Sequence, residues 1–110
     1  MTRYAVCLSI TAVLYAGGAS AKTDAFYDGN ALHKLCQQNN ATGYVIGLSD
    51  TYDSMSNMLK TKKSICPSTK VTAGQMKDVI CLSLAQHPET RHLTAASLAM
   101  LALSNAFPCN

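Results

Sequence analysis

Four stretches of the chain carry apolar residues at a period close to 3.6, separated by polar or proline-containing segments. The most regular is the second. Tyr44, Leu48, Tyr52, Met55 and Leu59 recur at i, i+4, i+8, i+11 and i+15. This spacing predicts one face of a helix that opens at Gly43 and runs to Leu59 or Lys60, with Ser49, Asp53, Ser56, Asn57 and Lys60 largely off that face. Such a helix is roughly 25 Å long and reads as the core helix around which the rest is organised. Gly43 and Gly47 sit four apart near its start. Either their bare backbone admits another helix or chain closely, at about 1 kcal/mol relative to Ala, or Gly43 merely ends a turn.

The first stretch is shorter. Asp28 or Asn30 can cap a helix in which Leu32, Leu35 and Cys36 share a face, while His33 falls off it and is expected at the surface. Gln37-Gln38-Asn39-Asn40 supplies a polar turn. Beyond Leu59 the chain becomes polar through Lys60-Thr61-Lys62-Lys63-Ser64 and then reaches Ile65-Cys66-Pro67-Ser68, where Pro67 forbids regular helix. A connection of roughly ten residues is longer than bundles usually need, and such loops are functional or tethered; Cys66 offers the tether.

The third helix has an explicit start. Thr72 and Gln75 form a Thr-x-x-Gln capping box, and Val71 with Met76 can make a hydrophobic staple. Met76, Val79, Ile80 and Leu84 then build a buried face with Cys81 at its edge, until Gln86-His87-Pro88 ends it. The last helix is expected to start at Pro88 or Thr90, with Leu93, Ala96, Met100, Leu103 and Phe107 on one face and Leu98, Leu101 and Ala102 on a second. A helix apolar nearly all round is central to a bundle or shared with a partner subunit. Pro108 stops it, and Cys109 pins the chain end. With no period-2 run competing, the expected fold is all-α, a small four- to five-helix bundle.

The 110 residues leave room for one domain, and the first 21 read differently from the rest. Arg3 precedes an apolar run from Tyr4 to Ala16, and Ala19-Ser20-Ala21 suits signal peptidase, so residues 1–21 are expected to be a signal peptide cleaved after Ala21. The run is too short for a spanning helix, which needs about 20 residues. The expected mature domain, 22–110, is therefore periplasmic and free of the membrane. It holds eight Lys and Arg against six Asp and Glu, a formal charge of +2, because Arg3 is the only charged residue of the leader. Apart from Lys60, Lys62 and Lys63 the basic residues are scattered without aromatic interleaving, so nucleic acid is a poor partner.

Cys36, Cys66, Cys81 and Cys109 remain after the leader is removed, and an even count in a small exported chain reads as two disulfides. Four cysteines allow three pairings, and the sequence does not choose between them. Packing of apolar helical faces favours Cys36 with Cys81. Cys66 and Cys109, each beside a proline in irregular chain, then tether two otherwise loose segments.

Little else carries chemistry. His87-Pro88-Glu89-Thr90-Arg91-His92 gathers the only potentially catalytic side chains, but histidines five apart across a helix boundary do not match the i, i+4 spacing of a helical zinc pair. There is no Cys-x-x-Cys, Gly-x-Ser-x-Gly elbow, phosphate-cradling loop or plausible carboxylate pair. No enzyme activity, metal or cofactor is expected.

Three short runs, taken in order, carry a resemblance: Gly43-Tyr44-x-x-Gly47-x-x-Asp50; Cys66-Pro67 followed by Val71-Thr72-x-x-Gln75; and His87-Pro88-Glu89 with Arg91-His92 and the ending Ala106-Phe107-Pro108-Cys109. From Leu32 to Cys109 the chain resembles the Rap/Tai family of small periplasmic immunity proteins. The resemblance implies a helical, often dimeric protein that binds a type VI secretion effector, typically a peptidoglycan amidase, and blocks its active site. The matching residues Gly43, Tyr44, Gly47, Asp50, Thr72, Gln75, His87, Pro88, Arg91 and His92 look structural, so no family contact residue carries over. The exposed loop, with Lys60, Lys62, Lys63, Ser64 and Ser68, and the second face of the last helix are the contact candidates. One departure stands out: many relatives have a cysteine two positions before the first glycine, where this chain has Ala41, and this chain has Cys81 instead. A different class also fits the composition, a small periplasmic helical chaperone of the acid-stress type, which would need a charge switch at low pH.

Overall fold

A computed structural model describes residues 25–110; the expected signal peptide and its cleavage point at Ala21 lie outside the described residues. The fold is all-α: helix α1 spans Gly29–Gln37, α2 Thr42–Leu59, α3 Ala73–Gln86 and α4 Ala95–Ala106, with a single 3₁₀ turn at Pro88–Thr90 between the last two. The helices start where chemistry stops their orphan amides from being wasted. Asp28 caps α1, its Oδ1 accepting from the Ala31 amide at 2.8 Å. Thr72 caps α3 in a complete capping box: Thr72 Oγ1 accepts from the Gln75 amide at 3.1 Å, and Gln75 Oε1 accepts from the Thr72 amide at 2.8 Å. Two left-handed residues punctuate the chain, Asn39 (φ 58°) in the turn after α1 and Lys60 (φ 53°) closing α2.

The helix that touches every other is α3, which packs on α1, α2 and α4, while α4 packs on α1 and α3. Leu32, Val45, Ile80, Leu84 and Leu103 form the bulk of the core, filled in by Ala41, Ala95, Ala99 and Ala102. Ala41 is fully buried at the N-cap of α2. Disulfides join Cys36 to Cys81, tying α1 to α3, and Cys66 to Cys109, tying the long loop to the tail beyond α4.

The structure corrects several expectations. The apolar stripe of α2 is core only in part. Tyr44, Leu48 and Tyr52 pack against the core, but Met55 is 45% exposed and Leu59 61% exposed. In that stretch Ser56, expected on the outer face, is the buried residue. His33 is half-buried, not a free surface side chain, and its Nδ1 lies inside without a hydrogen-bond partner.

Helix α4 starts at Ala95, later than Pro88 or Thr90, since Pro88-Glu89-Thr90 makes a separate turn. Its buried face is accordingly Ala95, Ala99, Ala102 and Leu103, and Leu93 lies before the helix and is exposed. In that turn Glu89 Oε1 lies within hydrogen-bond distance of His87 Nδ1, at 3.1 Å. Gly43 and Gly47 receive no approaching helix, as a Cβ added to either would meet nothing within 4 Å.

Candidate functional site

The long loop follows α2 and is held in a defined course by one side chain. Tyr52 Oη accepts hydrogen bonds from the backbone amides of Ser64 at 2.7 Å and Ile65 at 3.1 Å, and lies 3.5 Å from Ser64 Oγ. Desolvation works to raise the Tyr52 phenol, yet the hydrogen bonds from Ser64 and Ile65 outweigh it and hold it below its ordinary value. Ile65 is thereby drawn into the core, 6% exposed. Beside it, Lys63 Nζ pairs with Asp53 Oδ1 at 3.1 Å, the Cys66 amide donates to the Phe107 carbonyl at 2.8 Å, and Cys66 is bonded to Cys109. Ser68 folds the far side, its hydroxyl accepting from the Lys70 amide at 3.3 Å and its carbonyl from the Val71 amide at 3.0 Å.

Between this loop and the helices lies an open cleft of about 370 Å³. Leu48, Ile65, Met76, Met100 and Leu103 supply apolar walls, Pro67 and Cys66 the loop side, and Tyr52, Asp53 and Lys63 the polar edge. These residues come from α2, the loop, α3 and α4, so no local motif announces the cleft. The one usable signal was the combination of a long loop with a cysteine tether. Of the loop residues singled out from sequence, Lys63 lines the cleft, Lys60, Lys62, Ser64 and Ser68 are exposed along the loop, and Lys60 and Lys62 enter no ion pair among the described residues.

The remaining motif residues sit elsewhere and build scaffold. Arg91 reaches back to the end of α3, donating from Nε to the Leu84 carbonyl at 2.7 Å and from an Nη to the Ala85 carbonyl at 3.2 Å. It thus answers carbonyls that a helix end leaves without partners and places its charge at the negative pole. The Glu89 carboxyl, exposed in the turn, is held below the usual carboxylate range by its own backbone amide and then by His87. Tyr44 stacks obliquely on Tyr27, with ring centroids 5.8 Å apart and planes at 40°. Burial, then the Tyr27 phenol, raises its pKa. Asp50 and His92 are exposed.

Sequence reasoning missed Gly29, although it is a scaffold residue of weight. Its amide donates to the Leu93 carbonyl at 2.8 Å, the Asn30 amide donates to the Arg91 carbonyl at 2.9 Å, and the Ala95 amide donates to the Tyr27 carbonyl at 3.0 Å. A Cβ on Gly29 would come within 2.8 Å of the Arg91 backbone.

No cluster of three His, Cys, Asp or Glu among the described residues could hold a metal ion, and the acidic side chains near the cleft come down to Asp53, already paired. No helix among the described residues is long and apolar enough to cross a membrane. The described residues thus form a small disulfide-stapled helical domain that presents a tethered loop and an apolar cleft. The chain is a member of the Rap1a immunity protein family, whose model matches residues 28–109. Neither a curated protein nor a solved structure matches it.

Proposed function

We propose that the protein is exported to the periplasm, loses residues 1–21, and there neutralises a type VI secretion effector by stoichiometric binding. A peptidoglycan amidase is the first candidate for that effector. The observation that carries the reading is the family match from residue 28 to 109, which takes in all four helices and both disulfides but for the first residues before α1. The contact surface is the loop from Lys60 to Lys70, because it is exposed, basic and held in one course by Tyr52 and by the Cys66–Cys109 bridge. A surface fixed before binding loses less conformational entropy on association.

The deciding experiment is co-expression of the chain with a candidate exported amidase, sought first in the neighbouring reading frame. Lysis caused by that enzyme in the periplasm should be suppressed, and the two should co-purify at a fixed ratio. Lysis unchanged by co-expression, or peptidoglycan hydrolysis by the purified chain alone, would overturn the reading.

A further inference from the structure

The α2 stripe does not end at the cleft. Leu48 and Tyr52 line its wall, and Met55 and Leu59 follow at the i+3 and i+4 steps that put side chains side by side along a helix. Met55 and Leu59, 45% and 61% exposed, carry that stripe past the cleft lining as an uncovered apolar shelf, with Met58, 74% exposed, to one side of it. Isolated apolar side chains at a surface need no explanation, but a shelf contiguous with a concave pocket marks an interaction site.

The loop that edges the cleft is basic, although Lys60 and Lys62 lie outside the cleft lining itself. Lys63 stands at the cleft edge and has Asp53 as its partner, while Lys60 and Lys62, in the three residues before it, have no ion pair among the described residues. Beyond Asp53, no acidic residue lines the cleft.

We infer that the cleft and its shelf receive an acidic, apolar-tipped segment of the partner protein: one large apolar side chain enters between Leu48, Ile65, Met76 and Met100, and flanking carboxylates face Lys60 and Lys62. This rests on the binding role proposed above and names the chemistry of the partner at that surface. Anchoring by one buried apolar side chain, with charge around it steering the encounter and fixing the register, is the usual division of labour at protein interfaces. The concavity argues for an inserted side chain over a flat lipid surface. The buried core behind the cleft, including Ile65 and Leu103, gives the pocket a firm floor.

The test needs no effector. The folded chain is titrated with a short synthetic peptide carrying one phenylalanine between glutamates, and with two controls: alanine in place of the phenylalanine, and lysines in place of the glutamates. Methionine methyl resonances are followed by NMR. The acidic phenylalanine peptide should move the Met76 and Met100 methyls and bind at least about tenfold more tightly than either control, with affinity falling as salt is raised. The Lys60→Glu/Lys62→Glu double variant should lose that advantage, whereas Lys34→Glu, an equal change of charge per residue on exposed α1, should keep it.

Equal binding of the three peptides, or shifts that spare Met76 and Met100, would overturn the inference. So would perturbation of the same methyls by anionic phospholipid vesicles or by self-association of the chain, since these identify a membrane or a second copy as the occupant. Failure of the peptide titration leaves the immunity reading standing; failure to suppress lysis while the peptide still binds removes that reading and leaves the cleft chemistry in place.

Discussion

Where α1 meets the segment from Arg91 to Ala95, backbone lies on backbone: Gly29, Asn30 and Ala95 donate to the carbonyls of Leu93, Arg91 and Tyr27, and the Arg91 side chain closes the end of α3. Where α2 meets the long loop, the contact is made by side-chain hooks, a phenol accepting two amides, one exposed ion pair and one disulfide. The first region has no room for another atom. The second leaves a cleft, a shelf of Met55 and Leu59 with Met58 to one side, and unpaired lysines. A binding module needs both. The close-packed region fixes the frame in which the hooked region can present an open surface without falling apart, and local stability is expected to be lowest where contacts are fewest.

The largest way to break the contrast is to remove the bridge of the hooked region. The Cys66→Ser/Cys109→Ser double variant frees a closed loop with a sequence separation of 43. It should cost about 4 kcal/mol in the chain-entropy model, read as the loss of denaturation midpoint relative to the oxidised parent. Hydrogen exchange should rise first at Ser64 and Ile65. Uniform acceleration throughout the bundle, including α1, would mean that the loop is not a separable region.

Gly29→Ala attacks the close-packed region. With Arg91 backbone atoms 2.8 Å from the added Cβ, something must shift, and overpacking of this kind costs roughly 1–3 kcal/mol. A melting temperature unchanged within error would show that the segment from residue 91 to 95 yields easily and that the frame is softer than its hydrogen bonds suggest.

Tyr52→Phe keeps the ring and removes the acceptor. The Ile65 amide is part-buried and loses its partner, so the cost should be roughly 1–3 kcal/mol, concentrated in the loop, with the Cys66–Cys109 bridge intact. Thr72→Ala should cost about 1 kcal/mol by opening the capping box, against little for the exposed Thr61→Ala. Equal melting temperatures for these last two variants would count against the cap as a contributor.

These residues also show which parts of the structure could be read from sequence. The capping box, the breaks at Pro67 and Pro88 and the helical periods are local, and a pattern three to seven residues long contains all their physics. Gly29 and Arg91 are not local: each matters because residues 29 and 91, far apart in the chain, come within a few ångströms. Met55 and Leu59 follow the same period as Leu48 and Tyr52 yet are exposed, while Ser56 between them is the residue that is buried, which no period encodes. The early start expected for α4 fails for a related reason. Thr90 and Arg91 spend their hydrogen-bonding groups on His87, Asn30 and the end of α3, so the helix waits until Ala95. The loop was legible as tethered, but the cleft behind it was not, because its walls come from three helices.

The smallest predicted effect has the opposite sign and bears on what lies outside the chain. Gly43 and Gly47 are exposed in α2, have ordinary helical backbone without positive φ, and a Cβ at either would meet nothing within 4 Å. Within the isolated chain the only consequence of Gly→Ala is then relief of the entropy that glycine loses in a helix, a gain of up to about 1 kcal/mol per site. The Gly43→Ala/Gly47→Ala variant should therefore melt higher than the parent at low concentration. If it does so and still suppresses effector-driven lysis in full, the glycines serve neither frame nor surface. If the melt rises but protection falls, bare backbone on this face of α2 is in contact with another chain, and the binding surface extends from the loop along the helix. A lower melt at every concentration would contradict the open space around both positions and, with it, the placement of α2 against the bundle.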